Sequence, residues 1–93
     1  MLSYKIDDPI EEPLTGAVEV TIDFGADGKR WCFFVTPQLL ASVGDWLDET
    51  EVRVHVGEPH MIVVSELSEG SIDRVLSQLY DEGELKAHTT PLE

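Results

Sequence analysis

This chain of 93 residues is poor in basic side chains, with six Lys and Arg against 19 Asp and Glu and a formal charge of −13. A nucleic-acid-binding surface needs clustered Lys and Arg that displace counterions, so this balance argues strongly against nucleic acid as a partner. Anionic membranes are excluded for the same reason. The charge is compatible with a basic protein partner, but also with solubility alone or with adaptation to high salt.

The sequence also lacks the features of disulfide-bonded and membrane proteins. Cys32 is the single cysteine, so no internal disulfide can form, and its place in an apolar run indicates a small buried side chain. No apolar run approaches the ~18 residues of a membrane-spanning helix, and the N-terminus has no signal-peptide pattern. We therefore expect a cytoplasmic protein.

Motifs for catalysis, cofactors and metals are missing as well. The sequence has no nucleophile elbow and no phosphate-binding glycine loop, and acid pairs such as Asp7-Asp8 gain little from adjacency alone. His55 and His60 flank a predicted turn, but two ligands do not make a zinc site, and nothing recruits His88 to them. We expect a protein that is not an enzyme and that binds neither a cofactor nor a metal.

A strong hairpin signal stands out between residues 18 and 35. Apolar and polar residues alternate strictly over 18–24, residues 31–35 are apolar throughout, and Asp27-Gly28 between them favours a two-residue turn. The alternation is typical of a strand with one buried face, and a two-residue loop pairs the large apolar residues of the two strands on that single face. The predicted pairs are Phe24 with Trp31, Ile22 with Phe33 and Val20 with Val35.

Two helices are predicted, each with one apolar stripe. The first has Thr36 as its N-cap and begins at Pro37. Its stripe consists of Leu39, Leu40, Val43, Trp46 and Leu47. The second helix has Ser68 or its rival Ser71 as the N-cap and ends at Gly83. Its stripe consists of Ile72, Val75, Leu76, Leu79 and Tyr80.

Further strands are predicted at 51–56 and 61–67, joined by a turn whose register the sequence leaves open. Short edge strands at 4–6 and 84–89 are also compatible with the pattern. The predicted order is therefore β-β-α-β-β-α. We expect an α+β two-layer sandwich, with both helices on one face of an antiparallel or mixed sheet.

At this length the chain is predicted to form one small domain, residues 1–91. Residues 1–16, with two prolines and four acids, are predicted to form an extended arm. Leu92-Glu93 is interpreted as a remnant of cloning that precedes an affinity tag.

Acidic residues crowd the C-terminal ends of both predicted helices, where the helix dipole favours cations. They are Asp45, Asp48, Glu49 and Glu51 after the first helix and Asp81, Glu82 and Glu84 after the second. Because an arrangement that costs stability without visible compensation is typical of functional sites, these seven residues are candidate partner-binding residues. The alternative is that a chain with 19 acids must place some of them there.

Two segments follow the pattern of a known family. Residues 28–40, GKRWCFFVTPQLL, contain a glycine turn, an aromatic strand, Thr-Pro and a leucine-bearing helix. Residues 57–75, GEPHMIVVSELSEGSIDRV, contain a His-bearing turn, an aliphatic strand and a helix with an early isoleucine. The matching residues are Trp31, Phe33, Thr36, Pro37, Leu40, His60, Ile62, Val63 and Ile72. In these features the chain resembles the immunity protein 8 family of bacterial polymorphic-toxin systems.

The resemblance implies a small, cytoplasmic, non-enzymatic protein that neutralises a cognate toxin by binding it. The leading hypothesis is therefore an immunity-type protein that covers a basic surface of a toxin such as a nuclease. The alternative is a structural or regulatory domain of an acidic, salt-adapted proteome that has no dedicated basic partner. An exposed edge strand could equally pair two copies of the chain into a homodimer.

Overall fold

The fold is described from a computed structural model for residues 3–42, 45–46, 53–54 and 58–92, and only by the backbone at 42, 45–46 and 53–54. In chain order the elements are β1 (Ser3–Ile6), β2 (Ala17–Asp23), β3 (Lys29–Val35), α1 (Pro37–Ser42), β4 (Asp45–Trp46), β5 (Arg53–Val54), β6 (Met61–Val63), α2 (Glu69–Asp81) and β7 (Thr90–Pro91). The predicted α+β class is confirmed, as a small sandwich of sheet and helix.

Five strands form the main sheet, in the order β1-β2-β3-β6, with β7 also paired to β3. β6 is parallel to β3, whereas the other pairs are antiparallel, so the sheet is mixed. β6 and β7 pair with different parts of β3, which makes β3 an interior strand, as its continuous apolar run predicted. β1 lies where the sequence is compatible with either a short edge strand or an irregular arm, and it forms the edge strand.

The hairpin of β2 and β3 forms, but its predicted register is wrong. The observed pairs include Thr21 with Trp31, Val20 with Cys32 and Glu19 with Phe33. Trp31 therefore lies opposite Thr21 and not opposite Phe24, a shift of three residues. Because an odd shift exchanges the two faces of a strand, Trp31 and Phe33 lie on the face opposite to Val20 and Ile22.

A longer loop, residues 24–28, replaces the predicted two-residue turn. Asp23 Oδ1 accepts a hydrogen bond of 2.8 Å from the Gly25 N–H, and the Phe24 N–H donates to the Gly28 carbonyl at 3.0 Å. Gly25 and Gly28 have φ angles of 75° and 83°, with a 3-10 turn between them. The hydrogen bond between the Asp23 side chain and the Gly25 N–H, together with the positive φ angles of the two glycines, stabilises the longer loop. The Asp-Gly signal alone does not predict this loop.

The core lies on the face of the sheet that α2 covers. Ile72 and Leu76 of α2 are fully buried against the inward side chains of β2 and β3. The buried cluster consists of Val18, Val20, Ile22, Cys32, Phe34, Leu67, Ile72, Leu76 and Leu85. Packing of this amphipathic stripe, more than helix propensity, accounts for the stability of α2.

Both ends of α2 follow the prediction. The Ser68 hydroxyl accepts a hydrogen bond of 3.0 Å from the Ser71 N–H, and the Ser71 hydroxyl accepts one of 3.1 Å from the Ser68 N–H. The two rival caps therefore form a single reciprocal capping box. The helix ends at Asp81, and Gly83 has a φ of 73°, a conformation that suits glycine after a helix.

α1 begins as predicted but is shorter. Thr36 is fully buried, and its hydroxyl accepts a hydrogen bond of 3.2 Å from the Leu39 N–H, which confirms it as the N-cap. The helix ends at Ser42, and Trp46 lies in β4, so its predicted place on the helical stripe is wrong. Val43 and Leu47 lie outside the described residues.

β4 and β5 form a separate two-stranded antiparallel sheet, with Asp45 opposite Val54. β5 lies within the predicted strand at 51–56, whose other residues lie outside the described part. Among the described residues β5 pairs with β4, whereas β6 pairs in parallel with β3, with Met61 opposite Phe33, so the predicted pairing of the two strands is not found there. β6 is also shorter than the predicted 61–67 and ends at Val63. The parallel pairing joins residues that are far apart in the sequence, so no local pattern predicts it.

The C-terminal segment forms a 3-10 turn, Lys86–His88, followed by β7, and not the predicted strand at 84–89. The Arg30 guanidinium donates to the Thr89 hydroxyl at 2.6 Å and to the Thr89 carbonyl at 2.9 Å, which ties this turn to β3. The Leu92 N–H donates to the Lys29 carbonyl at 3.0 Å, so residue 92 continues the pairing of β7. Glu93 lies outside the described residues.

Candidate partner-binding surface

The sheet face opposite α2 carries a cluster of three aromatic rings, Trp31, Phe33 and His60. The ring centroids are 4.3 Å apart for Trp31 and His60, 5.3 Å for Phe33 and His60, and 6.2 Å for Trp31 and Phe33. All three side chains are half-buried. Rings at these distances attract one another, so the cluster positions its own members.

His60 is held at both ring nitrogens. Its Nε2 lies 2.8 Å from Glu58 Oε2, its Nδ1 lies 2.8 Å from Thr90 Oγ1, and its side chain is only 13% exposed. His60 directly precedes β6 and Thr90 begins β7, so the imidazole connects the two strands that pair with the same interior strand. His60 thus supports the rings of Trp31 and Phe33. His55, its predicted neighbour, lies outside the described residues.

A groove of about 290 Å³ opens beside the aromatic cluster. It is lined by Trp31, Phe33, Ala17, Val18, Asp8 and Glu19. Asp8 Oδ2 accepts a hydrogen bond of 2.9 Å from the Glu19 N–H, which fixes the orientation of the Asp8 carboxylate. The Glu19 side chain is exposed and has no hydrogen bond or ion pair with the described residues. The groove therefore combines an apolar aromatic wall with two carboxylates.

Two further depressions, of about 710 and 170 Å³, are lined in part by residues of the N-terminal arm. The arm is tied down by a hydrogen bond of 2.7 Å from the Leu67 N–H to the Pro13 carbonyl and by one of 2.6 Å from the Thr21 hydroxyl to Asp7 Oδ2. Asp8 lines the first and second of these depressions, and Pro9 lines the second and third. The depressions adjoin one another through such shared residues, and we call all of their lining residues together the arm surface.

The arm surface is strongly acidic. Its seven carboxylates are those of Asp7, Asp8, Glu11, Glu12, Glu19, Glu66 and Glu69. None of its lining residues in the described part of the chain is Lys, Arg or His. The ion pairs found in the described part of the chain, His60 with Glu58 and Lys86 with Asp27, do not involve it. Because its charges have one sign and no internal counter-ion, the arm surface creates a negative potential that attracts cations.

Among the acids predicted to bind a partner, the three whose side chains the structure describes, Asp81, Glu82 and Glu84, do not line the arm surface. Asp81 is the last residue of α2, Glu82 is its C-cap and Glu84 follows, and all three are exposed. The last turn of α2 has no basic residue, so these acids do oppose the helix dipole. Asp45 lies in β4 and therefore not in the first helix or its C-cap. Asp48, Glu49 and Glu51 lie outside the described residues.

The sequence prediction missed the aromatic end of the arm surface because it placed Trp31 and Phe33 in the core. The sequence also contains a signal for the opposite orientation of this strand. Cys32 and Phe34 alternate with these two residues and offer an equally apolar face. The acids of the arm were visible in the sequence as a run between prolines. Their proximity to Glu66 and Glu69 depends on non-local packing, which no local pattern reveals.

The described residues include no group of three or more His, Cys, Asp or Glu side chains arranged to hold a metal ion. Burial raises the pKa of the Cys32 thiol to about 12, so this thiol stays protonated at neutral pH and is a poor nucleophile. Neither helix in the part of the chain that the structure describes is long and apolar enough to cross a bilayer.

Comparisons with protein-family models, with curated proteins and with solved structures give no match. The resemblance to the immunity protein 8 family therefore stays a prediction. The residues that carry it belong to β3, α1, β6, α2 and the turn before β6. Two of them, Trp31 and Phe33, line the arm surface.

Proposed function

We propose that this chain is a small acidic binding protein, without catalytic function, that recognises a basic protein through its arm surface. The observation that carries the proposal is the coincidence, across three adjoining depressions, of seven carboxylates, no cation among the described lining residues and a half-buried aromatic pair. The charge steers a basic partner toward the surface, and the aromatic pair supplies apolar contact once it arrives.

We propose further that the partner is a toxin and that the chain acts as its cytoplasmic immunity protein. The resemblance stated above supports this role. An acidic surface is also suited to covering a nuclease, because a nuclease holds its phosphate-rich substrate with clustered Lys and Arg. Neutralisation by one-to-one binding requires complementarity of shape and charge and no reacting group.

The competing function is a structural or regulatory domain of a salt-adapted proteome without a basic partner. It is favoured by acids that lie away from the arm surface. Asp81, Glu82 and Glu84 are exposed at the end of α2 and form no ion pair with the described residues. If acidity serves only solubility, the arm surface and the end of α2 are equivalent, and this difference can be tested.

A matched pair of triple variants separates the two functions. The arm variant carries Glu11→Gln, Glu12→Gln and Glu66→Gln, and the control variant carries Asp81→Asn, Glu82→Gln and Glu84→Gln. Each removes three negative charges, so their net charges are equal. All six side chains are exposed, so both variants should keep the parent fold, which circular dichroism checks.

Parent, arm variant and control are each immobilised and exposed to a lysate of the host organism at low and high salt. We expect parent and control to retain the same basic protein, and isothermal titration of the purified pair to give one-to-one binding that weakens with salt. The arm variant should associate about tenfold more slowly. No capture at low salt, or equal loss in both variants, would favour the competing function. Binding that leaves the partner's toxicity intact would remove the immunity role alone.

A further inference from the structure

We propose that the groove at the aromatic end of the arm surface binds an arginine side chain from an extended segment of the partner. The guanidinium stacks on Trp31 and pairs with the carboxylate of Glu19, while its stem lies along Phe33. This inference rests on the proposed function and specifies which cation the arm surface recognises.

Trp31 offers the ring for this contact. It lines the groove and is supported from within the cluster by His60, at a centroid distance of 4.3 Å. Among aromatic side chains the indole attracts a cation most strongly. Phe33 lines the same groove and provides apolar surface for the methylene stem, which long basic side chains cover while their charged end stays near water.

Glu19 and Asp8 supply the charge. Glu19 has no hydrogen bond or ion pair with the described residues, so its carboxylate is available to a ligand. Asp8 uses Oδ2 to accept the Glu19 N–H, and its Oδ1 has no partner among the described residues. This hydrogen bond holds the Asp8 carboxylate at the Glu19 backbone and leaves Asp8 Oδ1 and the Glu19 carboxylate without partners among the described residues.

The size of the groove limits what can enter it. Its volume of about 290 Å³ lies at the lower limit of the pockets that hold small molecules. An α-helix with its side chains is about 10 Å across, so a single side chain from a loop or strand fits better. Lys5 of β1 lies opposite Thr21 of β2 in the sheet, but it is not among the residues that line this groove.

The geometry favours arginine over lysine. A guanidinium is planar, so it can lie flat on an indole while its N–H groups point sideways to carboxylates. A lysine ammonium is a compact and strongly hydrated charge that cannot make both contacts through a flat face. Charge alone would accept either residue, so preference for arginine is the specific signature of this site.

The test uses capped pentapeptides, Ser-Gly-Xaa-Gly-Ser, in which Xaa is arginine, lysine or the neutral isostere citrulline. Each is titrated into ¹⁵N-labelled full-length protein, and the indole N–H resonance of Trp31 is followed, assigned from a Trp31→Phe sample. We expect saturable shifts with the arginine peptide, about two- to fivefold weaker binding of the lysine peptide, and no shift with citrulline. Trp31→Leu, followed through the backbone N–H resonance of Phe33, and Glu19→Gln should each weaken arginine binding about two- to fivefold, and Glu84→Gln should not.

Equal affinity for arginine and lysine, or no Trp31 shift at ~10 mM arginine peptide, would overturn this inference. The capture experiment is independent of that outcome. Capture of a basic protein that depends on the arm acids, together with an unresponsive Trp31, would leave the proposed function standing and remove the arginine site. Arginine-selective peptide binding without any captured partner would leave the arginine site standing and remove the proposed function.

Discussion

The two faces of β2 and β3 differ sharply in how far their side chains are buried. On the face under α2, Val18, Val20, Ile22, Cys32 and Phe34 are all at most 2% exposed. On the other face, Glu19 is exposed, and Thr21, Trp31 and Phe33 are half-buried. Successive residues of the same strands therefore separate a dry core from a surface that a partner can reach.

The size of a side chain does not decide which face is buried. Trp31 is larger than Cys32, yet Cys32 is fully buried and Trp31 is not. The position of α2 decides it, because Ile72 and Leu76 cover only one face. A binding surface can then retain large aromatic residues outside the core, which is where aromatic residues contribute most to protein interfaces.

The largest contrast between the faces should appear at two neighbouring phenylalanines. We expect Phe34→Ala to lower the free energy of unfolding by about 3–5 kcal/mol, because it leaves a cavity in the core. Phe33→Ala should cost roughly 1–2 kcal/mol, because Phe33 is already half-exposed and water can fill the space. Urea unfolding measures both, and equal losses would contradict the assignment of the faces.

The parts of this fold that follow from local patterns could be predicted from the sequence. The capping box of Ser68 and Ser71 and the apolar spacing of α2 lie within one segment, and so does the Thr36 cap of α1. The parallel pairing of β6 with β3 depends on residues about thirty apart, such as Phe33 and Met61, and no local pattern encodes it. The same limit applies to the arm surface, which brings Asp8 close to Glu66.

The register of the hairpin failed for a different reason. Asp27-Gly28 is a valid turn signal, but Asp23 captures the Gly25 N–H and starts the loop earlier. A side chain that competes for one backbone donor thus moved the register by an odd number of residues. That single shift exchanged the predicted core residues Trp31 and Phe33 for Cys32 and Phe34.

A polar atom introduced on the dry face should have the next largest effect. We expect Cys32→Ser to lower the free energy of unfolding by about 1–3 kcal/mol, because the buried hydroxyl lacks the partners that water gives it. Cys32→Ala is the matched control, since it removes the sulfur without adding a polar group. Thermal or urea unfolding at pH 7 compares the two. A serine variant as stable as the alanine variant would show that this face admits water.

The stability of α2, which covers the buried face of the sheet, depends on its N-cap. We expect Ser68→Ala to destabilise the protein by about 1 kcal/mol, because the N–H of Ser71 loses its acceptor at the helix start. Ser65→Ala is the control, since the exposed Ser65 side chain has no hydrogen bond with the described residues. Urea unfolding should show no change for the control, and equal effects would rule out the capping box as the cause.

The smallest expected effect tests the contact between β1 and α2. The Tyr4 hydroxyl donates to Asp73 Oδ1 at 2.8 Å, and this hydrogen bond, followed by burial and the charges of Asp73 and Glu69, raises the pKa of Tyr4 above 10.0. Because the pKa of Tyr4 is higher in the folded than in the unfolded protein, the protonated hydroxyl stabilises the fold at pH values below the unfolded pKa. This stability is lost as the pH rises through the folded pKa. Tyr4→Phe should therefore cost well under ~1 kcal/mol at pH 7 and less at higher pH.

Because the buried Cys32 thiol titrates in the same alkaline range, the comparison is made in the Cys32→Ala background at pH 7 and above pH 10. If the cost of Tyr4→Phe instead grew with pH, the hydrogen bond to Asp73 could not be what holds the Tyr4 proton, and the contact between this edge strand and the helix would need another cause.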